Sequence, residues 1–224
     1  MPCLHNGSVL KFCNILFLSF SFFLFACSVQ AQEWELKKDA DGIQVFCRPV
    51  EGSLFHEVKA VTFLHISLDD AVAFISDVSG YPEWISKCGE ARLLEQVSPS
   101  ESYSYTVVNA HWPVSDRDAV TRDVIMEAAD RSAVTITSTS SPDYLPEQEG
   151  RVRVRTLNAK WEILPQGDGT VKVEFTGYSD PRGTLPAWIF NPFLPRQAYN
   201  SFKAMKKALE QRAESSKVKG ERRD

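Results

Sequence analysis

The sequence predicts an α+β domain in which a curved antiparallel sheet of about nine strands surrounds a long C-terminal helix. Segments with strand-like alternation dominate the chain from residue 34 to residue 179, and a single short helical pattern interrupts them. A second, longer helical pattern follows the last strand segment. A strongly curved sheet needs a large element to cover its concave face, and this helix is the obvious cover. We therefore expect an internal space between sheet and helix, of the kind that holds apolar ligands.

The composition indicates a globular domain that does not bind nucleic acid. The chain has 224 residues, of which 43% are hydrophobic and 24% are charged, as is usual for a folded protein. Its 25 basic and 29 acidic residues give a net charge of −4, whereas proteins that bind nucleic acid through its phosphates are usually basic. No linker or internal repeat interrupts residues 33–210, so we expect one domain and a monomer.

Residues 1–31 have the features of an export signal peptide. Lys11 precedes an uncharged segment rich in Phe and Leu, and Val29-Gln30-Ala31 offers a cleavage site. The uncharged segment is shorter than the roughly 20 residues that a membrane anchor requires. Leu24-Phe25-Ala26-Cys27 is similar to a bacterial lipoprotein box, but Phe25 is bulky for its position. We therefore predict a periplasmic or secreted protein, with cleavage after Ala31 favoured over lipidation of Cys27.

Nine segments have the alternation of β-strands. They are residues 34–38, 43–47, 55–66, 90–97, 102–110, 117–127, 133–139, 151–164 and 170–179. The pair Asp41-Gly42 separates the first two segments and favours a tight hairpin turn. Ser98-Pro99-Ser100, Ala129-Asp130-Arg131 and Gly167-Asp168-Gly169 mark three further hairpins. A sheet built from consecutive hairpins is antiparallel, and we predict that arrangement here.

Two segments have helical periodicity. The first follows Ser67, a suitable N-cap, repeats apolar residues at helical spacing, and ends before Gly80. The second is predicted from about Arg196 to about Ala213, and its apolar stripe consists of Ala198, Phe202, Met205 and Leu209. Residues 214–224 are charged and are predicted to be a disordered tail, so the domain is expected to span residues 32–213.

Four local motifs, in this order, resemble those of START lipid-transfer domains within the helix-grip superfamily. They are Asp41-Gly42-Ile43, Tyr81-Pro82-Glu83-Trp84, Trp112-Pro113-Val114-Ser115-Asp116-Arg117-Asp118 and Pro186-Ala187-Trp188-Ile189. The resemblance covers nearly all of residues 33–210 and is closest to the smaller, exported bacterial members of the family. It implies a nine-stranded sheet around the C-terminal helix, with a lipid or sterol-like ligand in the tunnel between them.

The resemblance also implies a binding protein without catalytic residues or a cofactor. Two other classes stay open. One is a helix-grip enzyme, related to polyketide cyclases, that acts on a hydrophobic substrate. The other is a structural domain whose core has no ligand space. Transfer of the ligand between membranes, with transient contact to the membrane surface, would extend the binding function.

The strand segment 117–127 supplies the polar candidates for a ligand site. Alternation places Asp118, Val120, Arg122, Val124 and Met126 on one face, and we predict that this face lines the tunnel. Buried charges are unfavourable unless they are paired, so Asp118 and Arg122 would together bind the head group of a ligand. The alternative is that they lie at the end of the strand and pair with each other, or with a neighbour, for structure only.

Aromatic residues and the helix stripe supply the apolar candidates. Trp84 and the neighbouring Tyr81 would either wall the tunnel mouth or fill the core beneath a loop. Trp188 and Phe193 precede the last helix and would form either a lid or an ordinary contact between helix and sheet. The stripe residues are predicted to contact the ligand tail; they are Phe202, Met205 and Leu209.

The sequence contains no motif for catalysis or metal binding that we recognise. His56, His65 and His111 have no metal-ligand spacing, and no Gly-x-Ser-x-Gly motif is present. Removal of residues 1–31 leaves two cysteines, Cys47 and Cys88. They would pair in an oxidising compartment if they are close together, or else remain separate thiols.

We predict that the exported protein begins at Gln32 and carries no lipid. The sequence Val29-Gln30-Ala31 fits a signal-peptidase site better than Phe25 fits a lipoprotein box. Intact-mass measurement of the exported protein tests this prediction, and a diacylated Cys27 at the amino terminus would contradict it.

Overall fold

The structure, a computed structural model, describes the backbone of residues 33–221 and the side chains of residues 33–212. The predicted signal peptide, its cleavage site and Cys27 lie outside the described residues. Within residues 33–221, no helix combines the length and the apolar character needed to cross a membrane.

One sheet of ten strands forms most of the domain. Its strands are β1 Glu35–Ala40, β2 Ile43–Pro49, β3 His56–Leu64, β4 Cys88–Ser98, β5 Glu101–Val108, β6 Asp116–Glu127, β7 Val134–Ser140, β8 Arg151–Arg153, β9 Thr156–Pro165 and β10 Val171–Asp180. Nine of them follow the order β1-β2-β3-β10-β9-β7-β6-β5-β4 and pair antiparallel, whereas β8 pairs in parallel with β6. The predicted antiparallel sheet of about nine strands is confirmed.

The segment 151–164, predicted as one strand, is divided into β8 and β9. The residues of β8 pair with β6, whereas those of β9 pair with β7 and β10. Because the chain changes its partner strand between Arg153 and Thr156, one continuous ladder cannot form. The turn pair Asp41-Gly42 is as predicted: both residues have positive φ, 56° and 71°, as a tight hairpin turn requires.

Four helices accompany the sheet: α1 Leu68–Ser76, α2 Tyr81–Trp84, α3 Ala187–Phe190 and α4 Phe193–Glu221. The Oγ of Ser67 accepts a hydrogen bond from the backbone N–H of Asp70 at 3.0 Å, which confirms the predicted N-cap. The helix α4 begins earlier than predicted, because Pro195 lies in its first turn, where no donor is needed. It also continues past Ala213, so the predicted tail overlaps its last turns, and residues 222–224 lie outside the described residues.

The core lies between α4 and the half of the sheet formed by β2, β3, β9 and β10. The rings of Phe202 on α4 and Trp161 on β9 are stacked, with centroids 5.7 Å apart. Met205 and Leu209 follow on the same helix face and are buried. Inward-facing residues of the strands meet them; these are Ile43, Val45, Val58, Ala60, Leu64, Ile163, Val171 and Val173.

A polar contact holds the middle of α4 to the first hairpin. The carboxylate of Asp41 accepts hydrogen bonds from Tyr199 Oη at 2.5 Å and from Lys203 Nζ at 2.7 Å. The Nζ of Lys206 donates to the Asp41 carbonyl at 3.1 Å. The hydrogen bond from Lys203 lowers the pKa of Asp41, so this contact stabilises the fold above the usual aspartate pKa and weakens as the pH falls through the lowered value.

The two cysteines are separate thiols. Cys47 is buried on β2, and Cys88 is half-buried on β4, near the opposite edge of the sheet order. The alternative of a disulfide between them is therefore wrong. Burial raises the pKa of Cys47 to about 11 and also raises the pKa of Cys88, so both thiols are poor nucleophiles.

We expect the substitution Met205→Trp to lower the free energy of unfolding by about 1–3 kcal/mol, because it overpacks a filled site. The Met205 side chain is fully buried between α4 and the sheet. Lys207→Trp adds the same ring at an exposed position of α4 and should leave stability within about 0.5 kcal/mol. Urea unfolding measures both variants, and equal stabilities would contradict the packing described.

Candidate functional site

Two adjoining chambers lie between α4 and the sheet. The outer chamber has a volume of about 360 Å³ and the inner chamber about 270 Å³. Together they are in the size range of sites that bind small apolar molecules. The residues that border both chambers are Thr106, Val108, Leu157, Ser179, Leu194 and Gln197. Since the chambers share these walls, they adjoin, and together they are the candidate site.

The outer chamber lies between the α3–α4 segment and the connection from β5 to β6. Ile189, Phe190 and Phe193 supply an apolar wall on the helical side. His111 and Val114, in the connecting loop, form the opposite wall. Residues of β5, β6, β9 and β10 complete its walls.

The inner chamber is bordered by aromatic rings and by small residues. Trp84, Phe175 and Phe202 supply rings, whereas Ala198 and Gly177 leave space. A Cβ atom at Gly177 would lie 2.6 Å from the Phe175 ring, so that ring would have to shift to admit a larger residue. A space persists here because the residues that face it are too small to fill it.

The chamber walls include one face of β6, and it is the face opposite to the one predicted. Ala119 borders the outer chamber, and Thr121 and Asp123 border the inner one. Their strand neighbours Val120 and Arg122 lie on the other face. Val120 is buried there against Tyr105 and Val107 in a separate apolar cluster. The prediction that the Val120 face lines the cavity is therefore wrong, because a second layer covers that face as well.

The predicted pair of Asp118 and Arg122 is also wrong, since Asp118 pairs with Arg153. The Nε of Arg153 donates to Asp118 Oδ1 at 3.2 Å, and its Nη2 donates to Oδ2 at 2.9 Å. Both side chains are almost fully buried. The Tyr105 hydroxyl donates to Asp118 Oδ2 at 3.1 Å. Although Asp118 borders the outer chamber, its carboxylate is occupied by these protein partners.

The same arginine holds a loop over the outer face of the sheet. The Nη1 of Arg153 donates to the carbonyls of Pro142 and Leu145, at 2.6 and 2.7 Å, and Nη2 donates to that of Pro146 at 3.2 Å. Leu145 packs on the cluster that contains Val120. The ion pair therefore has the structural role that was the alternative for Asp118, with a neighbour, Arg153, as its partner.

The other predicted residues of β6 lie on the surface. Arg122 is exposed and donates from Nε to Glu101 Oε1 at 2.7 Å. That hydrogen bond raises the pKa of Arg122 and lowers the pKa of Glu101. Val124 is half-buried and Met126 is 53% exposed. None of the three borders either chamber.

The aromatic and helical candidates divide between cavity, core and surface. Trp84 is buried in the core, as its second alternative had it, and borders the inner chamber, which Phe202 also borders. Phe193 borders the outer chamber. Met205 and Leu209 belong to the packed core and border neither chamber. Trp188 is 76% exposed, next to the outer chamber residue Ile189.

Sequence reasoning did not select Asp123, which carries the polar cluster of the inner chamber. Its Oδ2 accepts a hydrogen bond from Ser104 Oγ at 2.6 Å, and its Oδ1 accepts one from Thr121 Oγ1 at 3.0 Å. The signal available in the sequence was the set of small and polar residues that alternates with the apolar face of β6. Small side chains mark a surface that a neighbour does not fill, whereas the prediction for the cavity wall chose the opposite, apolar face of β6.

Comparison with known proteins assigns the chain to a family. The START domain family model matches residues 26–215, and the chain belongs to this family. It is 31% identical over 182 residues to an uncharacterised protein of Pseudomonas aeruginosa, covering 81% of this chain and 89% of that protein. It is 27% identical over 183 residues to the phosphatidylcholine transfer protein of Homo sapiens, covering 80% and 84% of the two chains.

A solved structure supports the same assignment. The crystal structure of a STAR-related lipid transfer protein fragment from Xanthomonas axonopodis aligns with a TM-score of 0.73 at 32% identity. The alignment covers 79% of this chain and 98% of that one. The predicted family and the predicted START-like fold are both confirmed.

We expect Arg153→Leu to destabilise the domain by about 3–5 kcal/mol, because it leaves the Asp118 carboxylate buried without its cation. Arg122→Leu removes an exposed arginine of β6, the strand that pairs with β8. This substitution should change the melting temperature little. Thermal and urea unfolding of both variants test this contrast. A larger loss for Arg122→Leu than for Arg153→Leu would contradict the assignment of the buried pair.

Proposed function

We propose that this protein binds a lipid in the two chambers beneath α4 and carries it between membranes in an exported compartment. The observation that supports this most strongly is the mainly apolar space of the two adjoining chambers between α4 and the sheet. Burial of one methylene group is worth about 0.8 kcal/mol, so a tail of about ten methylenes gains roughly 8 kcal/mol before association costs. The names of two relatives, a phosphatidylcholine transfer protein and a STAR-related lipid transfer protein, support the same class of ligand.

Exposed apolar side chains around the outer chamber support contact with a membrane. Trp112 is 92% exposed, in the loop that contributes His111 and Val114 to the chamber wall. Trp188 on α3 is 76% exposed. Tryptophan is favoured at the boundary between water and lipid, because its ring is apolar and its N–H is polar.

A third exposed residue lies beside the α3–α4 segment. Leu54, in the β2–β3 connection, is 79% exposed, and its carbonyl accepts a hydrogen bond from Asn191 Nδ2 at 3.0 Å. The adjacent Phe55 contacts Phe190 edge-to-face, with centroids 5.4 Å apart, and Phe190 borders the outer chamber. We call Leu54, Trp112 and Trp188 the entrance rim, and we propose that it rests on a membrane while the lipid enters or leaves.

The proposal includes two predictions made from the sequence. The protein acts by binding and not by catalysis, so that a lipid recovered from it should have the same mass as the lipid supplied. Its place of action is outside the cytoplasm, as the predicted signal peptide indicates.

We expect Ala198→Trp to abolish lipid binding while leaving the protein folded. Ala198 is half-buried on α4 and borders the inner chamber, so the larger ring would fill space that the ligand needs. The control Lys207→Trp places the same ring on the exposed side of α4. Displacement of a fluorescent lipid, with mass spectrometry of solvent extracts, measures binding. Unchanged affinity in folded Ala198→Trp would show that the ligand binds elsewhere.

We expect the double substitution Trp112→Ser and Trp188→Ser to slow lipid transfer between vesicles at least tenfold, equivalent to about 1.4 kcal/mol. Lipid affinity in solution should stay unchanged, because neither ring borders a chamber. Transfer is measured by dequenching of a labelled lipid between donor and acceptor vesicles. An unaltered transfer rate would contradict the role of the entrance rim.

A further inference from the structure

We infer that the inner chamber receives a hydroxyl-bearing end of the lipid and rejects an anionic end. This inference rests on the proposed function and specifies the chemistry of the same site. It follows from three observations on the chamber wall: one carboxylate without a cation, two hydroxyl groups that orient it, and one buried donor without an acceptor.

Asp123 is the one acidic or basic residue among those that border the inner chamber. No ion pair within residues 33–212 involves Asp123, whereas Asp118 on the same strand has Arg153. Burial raises the pKa of Tyr81, whose ring also borders the chamber, and the charge of Asp123 raises that pKa further. An anionic ligand group placed here would meet an uncompensated negative charge.

The carboxylate is held in a fixed orientation. Ser104 Oγ and Thr121 Oγ1 each donate to a different oxygen of Asp123, at 2.6 and 3.0 Å. A carboxylate oxygen has two acceptor sites, so each one retains capacity for a further donor. Because the two hydroxyl partners are neutral, they orient the group without cancelling its charge. The site is therefore prepared to accept a hydrogen bond from a ligand.

The indole N–H of Trp84 supplies the complementary group. Trp84 is 3% exposed, and its Nε1 has no hydrogen-bond partner among the described residues. A buried donor without an acceptor is unfavourable, and a ligand oxygen in the chamber would satisfy it. The same wall thus offers one donor and one acceptor. A hydroxyl both donates and accepts, whereas an ammonium only donates and a carboxylate only accepts.

The test uses three probes with the same tail: hexadecanol, hexadecylamine and hexadecanoic acid. Each competes with a fluorescent lipid for the purified full domain, at about pH 8, where the amine is protonated and the acid ionised. We expect hexadecanol to bind most tightly and hexadecanoic acid at least tenfold more weakly. Asp123→Asn keeps the shape of the side chain and removes its charge, so the disadvantage of the acid should shrink to about threefold or less.

Two further variants test whether the preference for hexadecanol depends on the residues of the chamber wall. Trp84→Phe keeps an aromatic ring and removes the N–H, so it should weaken hexadecanol about fivefold and leave hexadecylamine unchanged. Glu210→Gln neutralises an exposed acid on α4 and should not alter the order of the probes. Circular dichroism melts establish that each variant is folded, and the order of the three probes in the unaltered protein tests the inference independently of any variant.

The outcomes separate this inference from the proposed function. Equal affinity for the three probes, or an order that Asp123→Asn does not change, would overturn the inference while lipid binding stands. Tighter binding of hexadecylamine than of hexadecanol, insensitive to Trp84→Phe, would overturn it in favour of an ammonium ligand. If no probe or lipid binds at all, the proposed function itself fails.

Discussion

The architecture depends on an uneven contact between α4 and the sheet. Phe202 stacks on Trp161, and the residues that follow on the same helix face are fully packed against β2, β3 and β10. On the side of β5 and β6, the residues that face the helix are small, such as Ala119 and Thr121. Protein interiors are usually close-packed. Here the small side chains of β5 and β6 are too short to contact α4. One half of the concave face is therefore core and the other half is cavity.

A half-sheet that borders a cavity must obtain its stability from its other face. The outer face of β5 and β6 carries Tyr105, Val107 and Val120, which the loop with Leu145 covers. The buried pair of Asp118 and Arg153 holds that loop through backbone carbonyls. Removal of one partner of such a pair is strongly destabilising, although the intact pair adds little by itself. The domain can thus keep its space open because the strands beside it are supported from outside.

The two chambers differ in the polar groups that border them. The outer chamber is bordered by the loop that carries the exposed Trp112 and by Ile189, which follows the exposed Trp188. The inner chamber combines apolar and aromatic walls with one oriented carboxylate, that of Asp123. A ligand with a long apolar part gains most of its affinity from the walls, whereas a single charge without a counter-ion discriminates between polar ends. Affinity and selectivity therefore have separate origins in this site.

The amino-acid sequence alone determined the local elements and the family. The hairpin turn at Asp41-Gly42, the cap at Ser67 and the apolar stripe of α4 each depend on residues a few positions apart, and each is found as predicted. Only the tertiary structure decided which face of β6 borders the cavity. Alternation divides the strand into two sets of residues, but both faces of β6 are covered, one by α4 and the other by the loop held by Arg153. An apolar set of residues on a strand indicates that its face is buried, but it does not indicate which helix or loop covers that face. Asp118 is neutralised by Arg153, which is distant in the chain, whereas Asp123 has no such partner among the described residues. The sequence alone could not show this difference.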